Sequence, residues 1–404
     1  MAHNEASLPQ VPFRSELHDE RVAALLGLAL GVCFVTCFIT GLLSHLIQQP
    51  PGWFHWPAQP AWGYRFTQGL HVATGTAAIP LLLAKLWVVL PKFYEIPPVR
   101  SIAHALERIS LLPLVGGSLF MLFSGISDLS RYRPFGFNFT VGHFWVAWIT
   151  IGGLITHIAA KVSVTRRALT STRWTASLAA EPGSVPGPEG TADPSVEAPA
   201  GRGGLSRRGF IGSVVAASGV VTATTIGQTV RPLGFLNVLG PRKPHSGPQG
   251  VPVNKTAAGA GVTGDITEEK LVAYRLEVKG KVRRELSLSL DDLKAMPQYE
   301  SQTAIACVEG WSSVARWRGV RMSDLLAKAG AAAGTSAQVE SMQIGGIYSK
   351  SILEHGPARD GATLLALEVN GEPLHPDHGR PLRLIGPNRP GVQQTKWVHR
   401  VTVL

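Results

Sequence analysis

Thr303-Ala-Ile-Ala-Cys-Val-Glu-Gly-Trp-Ser312 is the segment from which the C-terminal half of this chain can be interpreted, because it contains Cys307. The other two cysteines, Cys33 and Cys37, lie in a long apolar stretch near the N-terminus. A thiolate can hold a redox-active metal when it is buried but reachable and has other binding groups beside it. An isolated cysteine can equally be a small buried apolar residue. The motifs that follow Cys307 favour a metal ligand.

Four further motifs follow this segment in order. They are Trp317-Arg-Gly-Val-Arg-Met-Ser-Asp-Leu-Leu326, Tyr348-Ser-Lys-Ser-Ile352, Asp377-His-Gly-Arg-Pro-Leu-Arg-Leu384 and Gln394-Thr-Lys-Trp397. Together, over residues 250–404, they resemble the sulfite oxidase family of molybdopterin enzymes. The cysteine segment is more similar to the catalytic subunit of bacterial methionine-sulfoxide reductases, whereas the His-Gly and Lys-Trp motifs are more similar to sulfite oxidases. Short alternating strands, as at residues 274–278 and 379–385, and brief helices such as Met322–Ala329 predict an α+β domain. The resemblance implies a compact fold of that class.

The same resemblance assigns roles to individual side chains. Cys307 would be the molybdenum ligand and Tyr348 the active-site tyrosine beside the metal. The side chains that would bind the pterin and its phosphate are Asn254, His378, Arg383, Gln394, Thr395 and Lys396. An arginine fork and a lysine point charge suit a phosphate-bearing cofactor. The alternative for Arg383 and Lys396 is a solvated surface charge.

The substrate is less well defined by the sequence. Sulfite oxidases carry substrate-binding arginines upstream of the cysteine, and no position in this chain can be matched to them. Arg316 and Arg318 follow Cys307 and could bind an anion, or they could be surface charges. Oxidation of a sulfite-type substrate and reduction of a sulfoxide-type substrate both remain open.

The composition predicts a membrane protein. Hydrophobic residues make up 45% of the 404 residues and charged residues only 16%. Because a helix needs about 20 apolar residues to cross a bilayer, spans are predicted near residues 22–47, 67–90, 106–126 and 141–164. The net charge of +11 could indicate nucleic acid, but no basic helix or aromatic-interleaved patch accompanies it, so no nucleic-acid partner is predicted.

Charges and aromatic residues at the ends of the spans predict how the chain crosses the membrane. Lys92 and Arg100 lie between the second and third spans, and further basic residues follow the fourth. The positive-inside rule puts these segments, with residues 1–20, in the cytoplasm. Trp53, Trp56, Trp62 and Tyr64 in the first outer loop indicate an aromatic belt at the membrane surface.

Histidines in the predicted spans indicate haem, since ionisable groups within a membrane are costly. His143 and His157 lie 14 residues apart on the fourth span, which places them roughly 21 Å apart and nearly on one face of a helix. His71 lies at the outer end of the second span, at about the depth of His143, so these two could ligate one haem iron. His45, at the outer end of the first span, could take the place of His71. The alternative is that the histidines only form hydrogen bonds between helices.

This pattern resembles the four-helix membrane cytochrome b of hydrogenases and formate dehydrogenases over residues 20–165. The resemblance implies one or two haem b groups. His157 would need a second axial ligand at an inner haem. His104 and Lys85 are the two candidates, and His104 is preferred because lysine is an unusual haem ligand.

Residues 167–205 are rich in Ala, Pro, Gly and Ser and predict a flexible linker. The motif Ser206-Arg-Arg-Gly-Phe-Ile211 then precedes a weakly apolar run within residues 206–231. Paired arginines before such a run resemble a twin-arginine export signal, or they flank an ordinary fifth span. Both readings carry residues 245–404 out of the cytoplasm, and the fifth helix is predicted to remain as an uncleaved anchor.

The sequence therefore predicts a membrane helical bundle, with a four-helix part at residues 21–166 and a fifth anchoring helix, followed by an α+β molybdopterin domain. Oxygen-atom transfer at an extracytoplasmic molybdenum centre would exchange electrons with a quinone pool through haem b. The rival prediction is a membrane haem b electron-transfer protein whose C-terminal domain is a cofactor-free binding module.

Overall fold

The computed structural model describes residues 15, 17–94, 99, 101–132, 134–170, 205–243 and 246–404. Most of the predicted N-terminal segment, most of the linker and Arg100 therefore lie outside the described residues. The chain divides into two compact units. The first comprises Met1–Val35, Ala77–Phe123 and Val141–Val220, and the second comprises Thr36–Thr76, Ser124–Thr140 and Val221–Leu404.

Five helices in the N-terminal region are long and apolar enough to cross a membrane. They are α1 (Glu20–Gln48), α2 (Gly63–Phe93), α3 (Ile102–Ser130), α4 (Phe139–Thr170) and α5 (Arg207–Ile226). Each overlaps a predicted span. On α1, large apolar side chains stay exposed at Leu28, Val32 and Ile39, which suits a helix surrounded by hydrocarbon.

Ion pairs define one end of the first unit. Lys92 at the end of α2 pairs with Glu20 at the start of α1, at 3.4 Å. Lys161 near the end of α4 pairs with Glu107 near the start of α3. Arg207 at the start of α5 pairs with Asp19 just before α1, at 3.4 Å. The helices of this unit therefore alternate in direction, and α5 begins at the same end as α1.

Small residues let α3 and α4 approach closely. A Cβ added to Gly153 of α4 would lie 3.1 Å from the backbone nitrogen of Leu114 on α3, and one added to Gly117 would collide with Thr150. Small residues of this kind are common where helices pack in a membrane.

The second unit contains two five-stranded sheets. The strands are β1 (Leu276–Gly280), β2 (Leu286–Leu288), β3 (Tyr299–Ala306), β4 (Ser312–Arg321), β5 (Ala337–Ser341), β6 (Lys350–Leu353), β7 (Leu364–Val369), β8 (Glu372–Pro373), β9 (Arg383–Ile385) and β10 (Val398–Val403). One sheet has the order β2-β1-β10-β5-β6, and the other has β3-β4-β7-β8 with β9 also paired to β7. Strands β1 and β10 are parallel, whereas the other strand pairs are antiparallel.

Short helices lie before and between these strands. They are α6 (Ala257–Ala260), α7 (Glu268–Ala273), α8 (Leu290–Ala295), α9 (Met322–Ala329) and α10 (His355–Arg359). Helix α9 has the predicted bounds and ends at Gly330, whose φ of 70° is the left-handed conformation that glycine adopts readily. The mixture of mainly antiparallel sheets and short helices agrees with the predicted α+β class.

One predicted strand is shorter than expected. The sequence predicted a strand over residues 379–385, but β9 begins only at Arg383 because Pro376–His378 forms a 3-10 turn and Pro381 has no N–H to donate to a sheet.

Two apolar clusters form the core of the sheet region. The first lies around β1, β5, β10 and α9, with Leu276, Leu325 and Val401 fully buried. The second joins Ile305, Trp311 and Trp317 and also contains Cys307. Trp317 is buried because side chains on β4 alternate between the core and the surface.

The predicted aromatic belt is wrong for two of its four members. Trp53 and Trp62 are 73% and 55% exposed, as a belt requires, but Tyr64 is only 1% exposed. The Tyr64 hydroxyl bonds to Ser44, and the indole N–H of Trp56 donates to the carbonyl of Asn388 at 2.9 Å. Specific hydrogen-bond partners within the second unit thus take these side chains away from the predicted belt.

Candidate active site

Cys307 lies in the tight turn that joins β3 to β4. Its N–H donates to the carbonyl of Trp311 at 2.8 Å, and its carbonyl accepts from Gly310 N at 3.1 Å. Gly310 has a φ of 82°, which side chains rarely permit. The Cys307 side chain is 1% exposed. Burial, reinforced by the Glu309 carboxylate, raises the pKa of this thiol.

The loop after β9 passes directly beside this turn. Pro390 forms a β-bridge with Ala306. A Cβ added to Gly391 would lie 3.0 Å from a methyl group of Ile305 and 3.5 Å from the Cα of Cys307. The loop therefore carries the segment Gln394 to Lys396 into the neighbourhood of Cys307.

Three of the predicted cofactor-binding side chains are buried. His378 is 0% exposed, Arg383 1% and Lys396 8%. Arg383 donates to the His378 carbonyl at 3.2 Å and lies over the Trp317 ring. Lys396 Nζ donates to the carbonyls of Lys255 and Asp377 at 2.8 and 2.7 Å. Neither cation has a salt bridge to a carboxylate among the described residues.

Burial changes the protonation of these groups. It lowers the pKa of Arg383 to about 9, so the guanidinium stays charged at neutral pH. Burial and the charge of Arg383 lower the pKa of Lys396 well below its usual range. The same two causes lower the pKa of His378 to about 4, which makes its imidazole neutral. Buried cations without counterions are costly, so the site favours an anionic ligand.

Several buried polar atoms of the site have no hydrogen-bond partner within the described part of the chain. They are His378 Nδ1, Arg383 Nε and Gln394 Oε1. Neutral His378 donates from Nε2 to the carbonyl of Pro248 at 2.7 Å, so its Nδ1 is left as an acceptor. Buried polar atoms are nearly always satisfied in folded proteins, so a polar ligand is expected here.

Two other predicted cofactor-binding residues, Thr395 and Asn254, form hydrogen bonds next to Lys396. Thr395 shares a hydrogen bond of 2.7 Å with Ser351, and its carbonyl accepts from Leu384 N at 2.8 Å. The side chain of Asn254 accepts from the N–H of Lys255, whose carbonyl contacts Lys396. These contacts hold the Lys396 segment in place.

Gly379 sets the distance between two parts of this site. Its φ is 107°, and an added Cβ would lie 3.0 Å from the Cα of Lys396. We expect Gly379→Ala to destabilise the protein by about 1–3 kcal/mol, from backbone strain and this contact. Gly250 has a φ of 71° with nothing within 4 Å, so Gly250→Ala is the control for strain alone. Equal unfolding midpoints for the two variants would contradict the close contact.

Tyr348 lies just before β6. Its hydroxyl donates to Gln48 Oε1 at 2.8 Å. Burial raises the pKa of Tyr348, and so does the charge of a Cys307 thiolate. The phenol is therefore neutral.

Comparisons with known proteins identify the chemistry of this domain. The sequence model of the family "oxidoreductase molybdopterin binding domain" matches residues 263–404. Mitochondrial sulfite oxidase of Macaca fascicularis is 37% identical over 157 residues, covering 32% of this chain and 29% of that protein. The methionine-sulfoxide reductase catalytic subunit MsrP of Xanthomonas axonopodis is 34% identical over 143 residues, covering 31% of this chain and 44% of that protein.

A third relative is covered over most of its length. The uncharacterized oxidoreductase YuiH of Bacillus subtilis is 35% identical over 141 residues, covering 34% of this chain and 70% of that protein. This chain belongs to the molybdopterin-binding oxidoreductase family. The chain spans less than half the length of the sulfite oxidase and of the sulfoxide reductase subunit that it matches.

The residues present fit the cofactor of a molybdopterin-binding oxidoreductase. Neighbouring segments carry a buried thiol, two buried cations and three buried polar atoms, and the described residues supply neither a salt bridge to the cations nor a hydrogen bond to the three atoms. No group of three or more His, Cys, Asp or Glu side chains suited to a metal occurs among the residues that the structure describes.

The sequence did not indicate an acidic and basic cluster beside the cysteine of this molybdopterin-binding oxidoreductase. Glu309 accepts from the Trp311 indole at 3.0 Å and pairs with Arg131 at 3.7 Å and Arg242 at 3.6 Å. Arg242 Nε and one of its terminal nitrogens are buried without a hydrogen-bond partner in the described chain. In the sequence, the only signal for Arg242 was its position upstream of Cys307. Arg316 and Arg318, by contrast, are exposed, and Arg318 pairs with Glu368 at 2.9 Å.

The predicted haem ligands lie in different units. In the second unit, His71 Nδ1 donates to the carbonyl of Cys37 at 3.0 Å and lies 3.0 Å from the Thr40 hydroxyl. An added Cβ on Gly41 would lie 3.1 Å from the imidazole. This glycine therefore leaves room for the ring.

The other candidates belong to the first unit. His143 lies near the start of α4 and His104 near the start of α3. His157 Nδ1 is buried without a hydrogen-bond partner in the described residues. Lys85 itself donates to the carbonyl of Ala23. His104 and Lys85 therefore both remain candidates for the second axial ligand of the predicted inner haem.

Proposed function

We propose that this protein is a membrane-anchored molybdopterin oxidoreductase that transfers an oxygen atom to or from a small substrate and exchanges electrons with a quinone pool through haem b. The observation that carries the proposal is the buried site at Cys307, where Arg383 and Lys396 lack counterions and His378, Arg383 and Gln394 carry unpartnered polar atoms. A phosphate-bearing pterin with a thiolate-bound metal would satisfy all of them.

Each site residue has a role in this proposal. Cys307 holds the molybdenum, which supplies two-electron oxygen-atom chemistry when bound. Because burial raises the pKa of the Cys307 thiol, metal binding must displace its proton. Arg383 and Lys396 hold the phosphate. The remaining cofactor contacts come from Asn254, His378, Gln394 and Thr395.

The helices support membrane anchoring. Four basic side chains lie at the end of the first unit where α1, α3 and α5 begin: Lys92, Arg108, Lys161 and Arg207. The positive-inside rule puts this end in the cytoplasm. Because α5 starts there, residues 245–404 would lie on the extracytoplasmic side, with residues 206–231 as an export signal that stays in place as an anchor.

Two histidine environments support haem b. A ligating imidazole usually donates its second N–H to a carbonyl, as His71 does to Cys37. His157 has a buried Nδ1 that needs a partner. Haem supplies single-electron transfer, which would connect a two-electron site to quinone. His157 would ligate an inner haem, with His104 or Lys85 as its second ligand.

Purified full-length protein tests the proposal directly. We expect about one molybdenum per chain by metal analysis, a haem b optical spectrum, and turnover with either sulfite or methionine sulfoxide. Turnover with one of these two would also fix the direction of the reaction. A haem spectrum without molybdenum would refute the proposal in favour of the rival, a membrane electron-transfer protein with a cofactor-free binding module.

Tyr348→Phe tests the role of the tyrosine. We expect kcat to fall by about 10²-fold, because a hydroxyl that handles protons or orients substrate is lost, while the molybdenum content stays unchanged. Tyr299, which stacks on Arg321 at 3.7 Å, provides the control Tyr299→Phe. Unchanged turnover in Tyr348→Phe would exclude the catalytic role of this residue.

A further inference from the structure

A chain of hydrogen bonds connects Tyr348 to the cysteine turn through α1 and α2. The Tyr348 hydroxyl donates to Gln48 Oε1 at 2.8 Å, and Gln48 Nε2 donates to Ser44 Oγ at 3.0 Å. Ser44 Oγ donates to Gln68 Oε1 at 3.3 Å. Gln68 Nε2 then donates to the carbonyl of Val308, next to Cys307, at 3.3 Å. All of these residues belong to the second unit.

All four hydrogen bonds have the same direction, with each donor on the side of Tyr348 and each acceptor on the side of Val308. Each amide uses its oxygen as acceptor and its nitrogen as donor, so the Tyr348 proton is committed to Gln48. Tyr64 adds a further bond of 3.1 Å to Ser44. Ser44 and Gln68 are each 8% exposed. A satisfied buried network of this kind holds its members in one arrangement.

The backbone of Gln48 is also fixed. Gln393 Nε2 donates to the carbonyls of Ile47 and Gln48, both at 3.0 Å. The last carbonyls of a helix lack partners within the helix, so Gln393 caps the end of α1. Gln393 immediately precedes Gln394 of the cofactor-binding segment, which ties the end of α1 to the site.

We propose that Gln48 is a positioning residue for Tyr348, so that a side chain from an apolar helix completes the active site of the sheet domain. With its proton held by Gln48, the Tyr348 oxygen is turned so that its lone pairs can accept a hydrogen bond at the reaction site. The proposal rests on the catalytic role of Tyr348 in the proposed function.

The test is a double-mutant cycle in the full-length, cofactor-loaded protein, assayed with whichever of sulfite and methionine sulfoxide supports turnover. Gln48→Met removes the acceptor with little change in side-chain length. We expect kcat to fall about 10-fold with KM nearly unchanged, the loss that one hydrogen bond implies. Gln48→Met combined with Tyr348→Phe is expected to match Tyr348→Phe alone, because the two residues act as one unit.

Two further variants and a thermal measurement separate positioning from folding. The neighbouring Gln49 is exposed, and Gln49→Met is the matched control, expected to retain full kcat. A second apolar variant, Gln48→Leu, is expected to behave like Gln48→Met. Thermal unfolding of the four proteins of the cycle is expected to give non-additive shifts of the midpoint, since the residues are in contact.

The outcomes are distinct. Wild-type kcat in both Gln48 variants, or a further loss of kcat when Gln48→Met is added to Tyr348→Phe, would overturn the positioning role while leaving Tyr348 catalytic. Unchanged kcat in Tyr348→Phe would instead refute the tyrosine's part in the proposed function, and the positioning role with it.

Discussion

Replacing Cys307 by serine is expected to abolish turnover, with a loss of at least about 10³-fold, the scale of removing a residue that takes part directly in the chemistry. Serine keeps the size of the buried side chain, but its hydroxyl is a harder and far less acidic ligand than a thiol. We expect less molybdenum in the purified protein and an unchanged haem spectrum. Metal analysis beside an optical spectrum measures both.

Cys33→Ser is the matched control, because Cys33 lies in α1 and in the first unit. This variant is expected to keep its molybdenum and its turnover. If Cys307→Ser retained wild-type molybdenum content and kcat, the sulfur would be a packing residue of the second apolar cluster and the site would lie elsewhere.

Arg383→Met is expected to have opposite effects on the loaded and the cofactor-free protein. With cofactor, loss of the guanidinium is expected to weaken cofactor retention about 10- to 100-fold, since charged hydrogen bonds are among the strongest. Without cofactor, the variant is expected to be more stable than wild type by roughly 1–3 kcal/mol, because an uncompensated buried charge is replaced by an apolar side chain. Cofactor release rates and thermal unfolding measure the two effects.

Arg318→Met provides the control for loss of an arginine. Arg318 is exposed and pairs with Glu368 at the surface, where an ion pair contributes little to stability. Both the loaded and the cofactor-free forms of this variant are expected to match wild type. A cofactor-free Arg383→Met protein less stable than wild type would show that the guanidinium is a structural element and not a phosphate ligand.

The helices and part of the sheet region could be predicted from local sequence. Long apolar runs located all five helices, because the length of such a run is a local property. Helix α9 was predicted over its full length, because its amphipathic periodicity indicates a helix and Gly330 indicates where the helix ends. The pairing of β1 with β10 could not be predicted, because nothing in either strand specifies a partner more than a hundred residues away.

The candidate site could be predicted only in part. The resemblance indicated His378, Arg383 and Lys396, and all three are buried near the cysteine turn. The Trp56 and Tyr64 misassignment has a physical cause: an aromatic residue with a polar tip suits a membrane surface and a buried hydrogen bond equally well. No local feature of the sequence distinguishes an aromatic residue at a membrane surface from one with a buried hydrogen bond.

The contribution of α1 and α2 to the site was missed for a related reason. Gln48 and Tyr348 are 300 positions apart, so no motif joins them. One signal was available, because Ser44 and Gln48 are polar residues four apart on an otherwise apolar helix. Polar side chains at that spacing share a face, and within a membrane helix they indicate a buried contact.

The place of β10 has a consequence for biosynthesis. This strand lies inside its sheet, between β1 and β5, and directly follows the segment that contains Lys396. The ribosome must therefore synthesise the whole domain, through Val403, before that sheet can close. Insertion of a cofactor would have to follow this step. Under the proposed topology, the domain would then have to cross the membrane already folded.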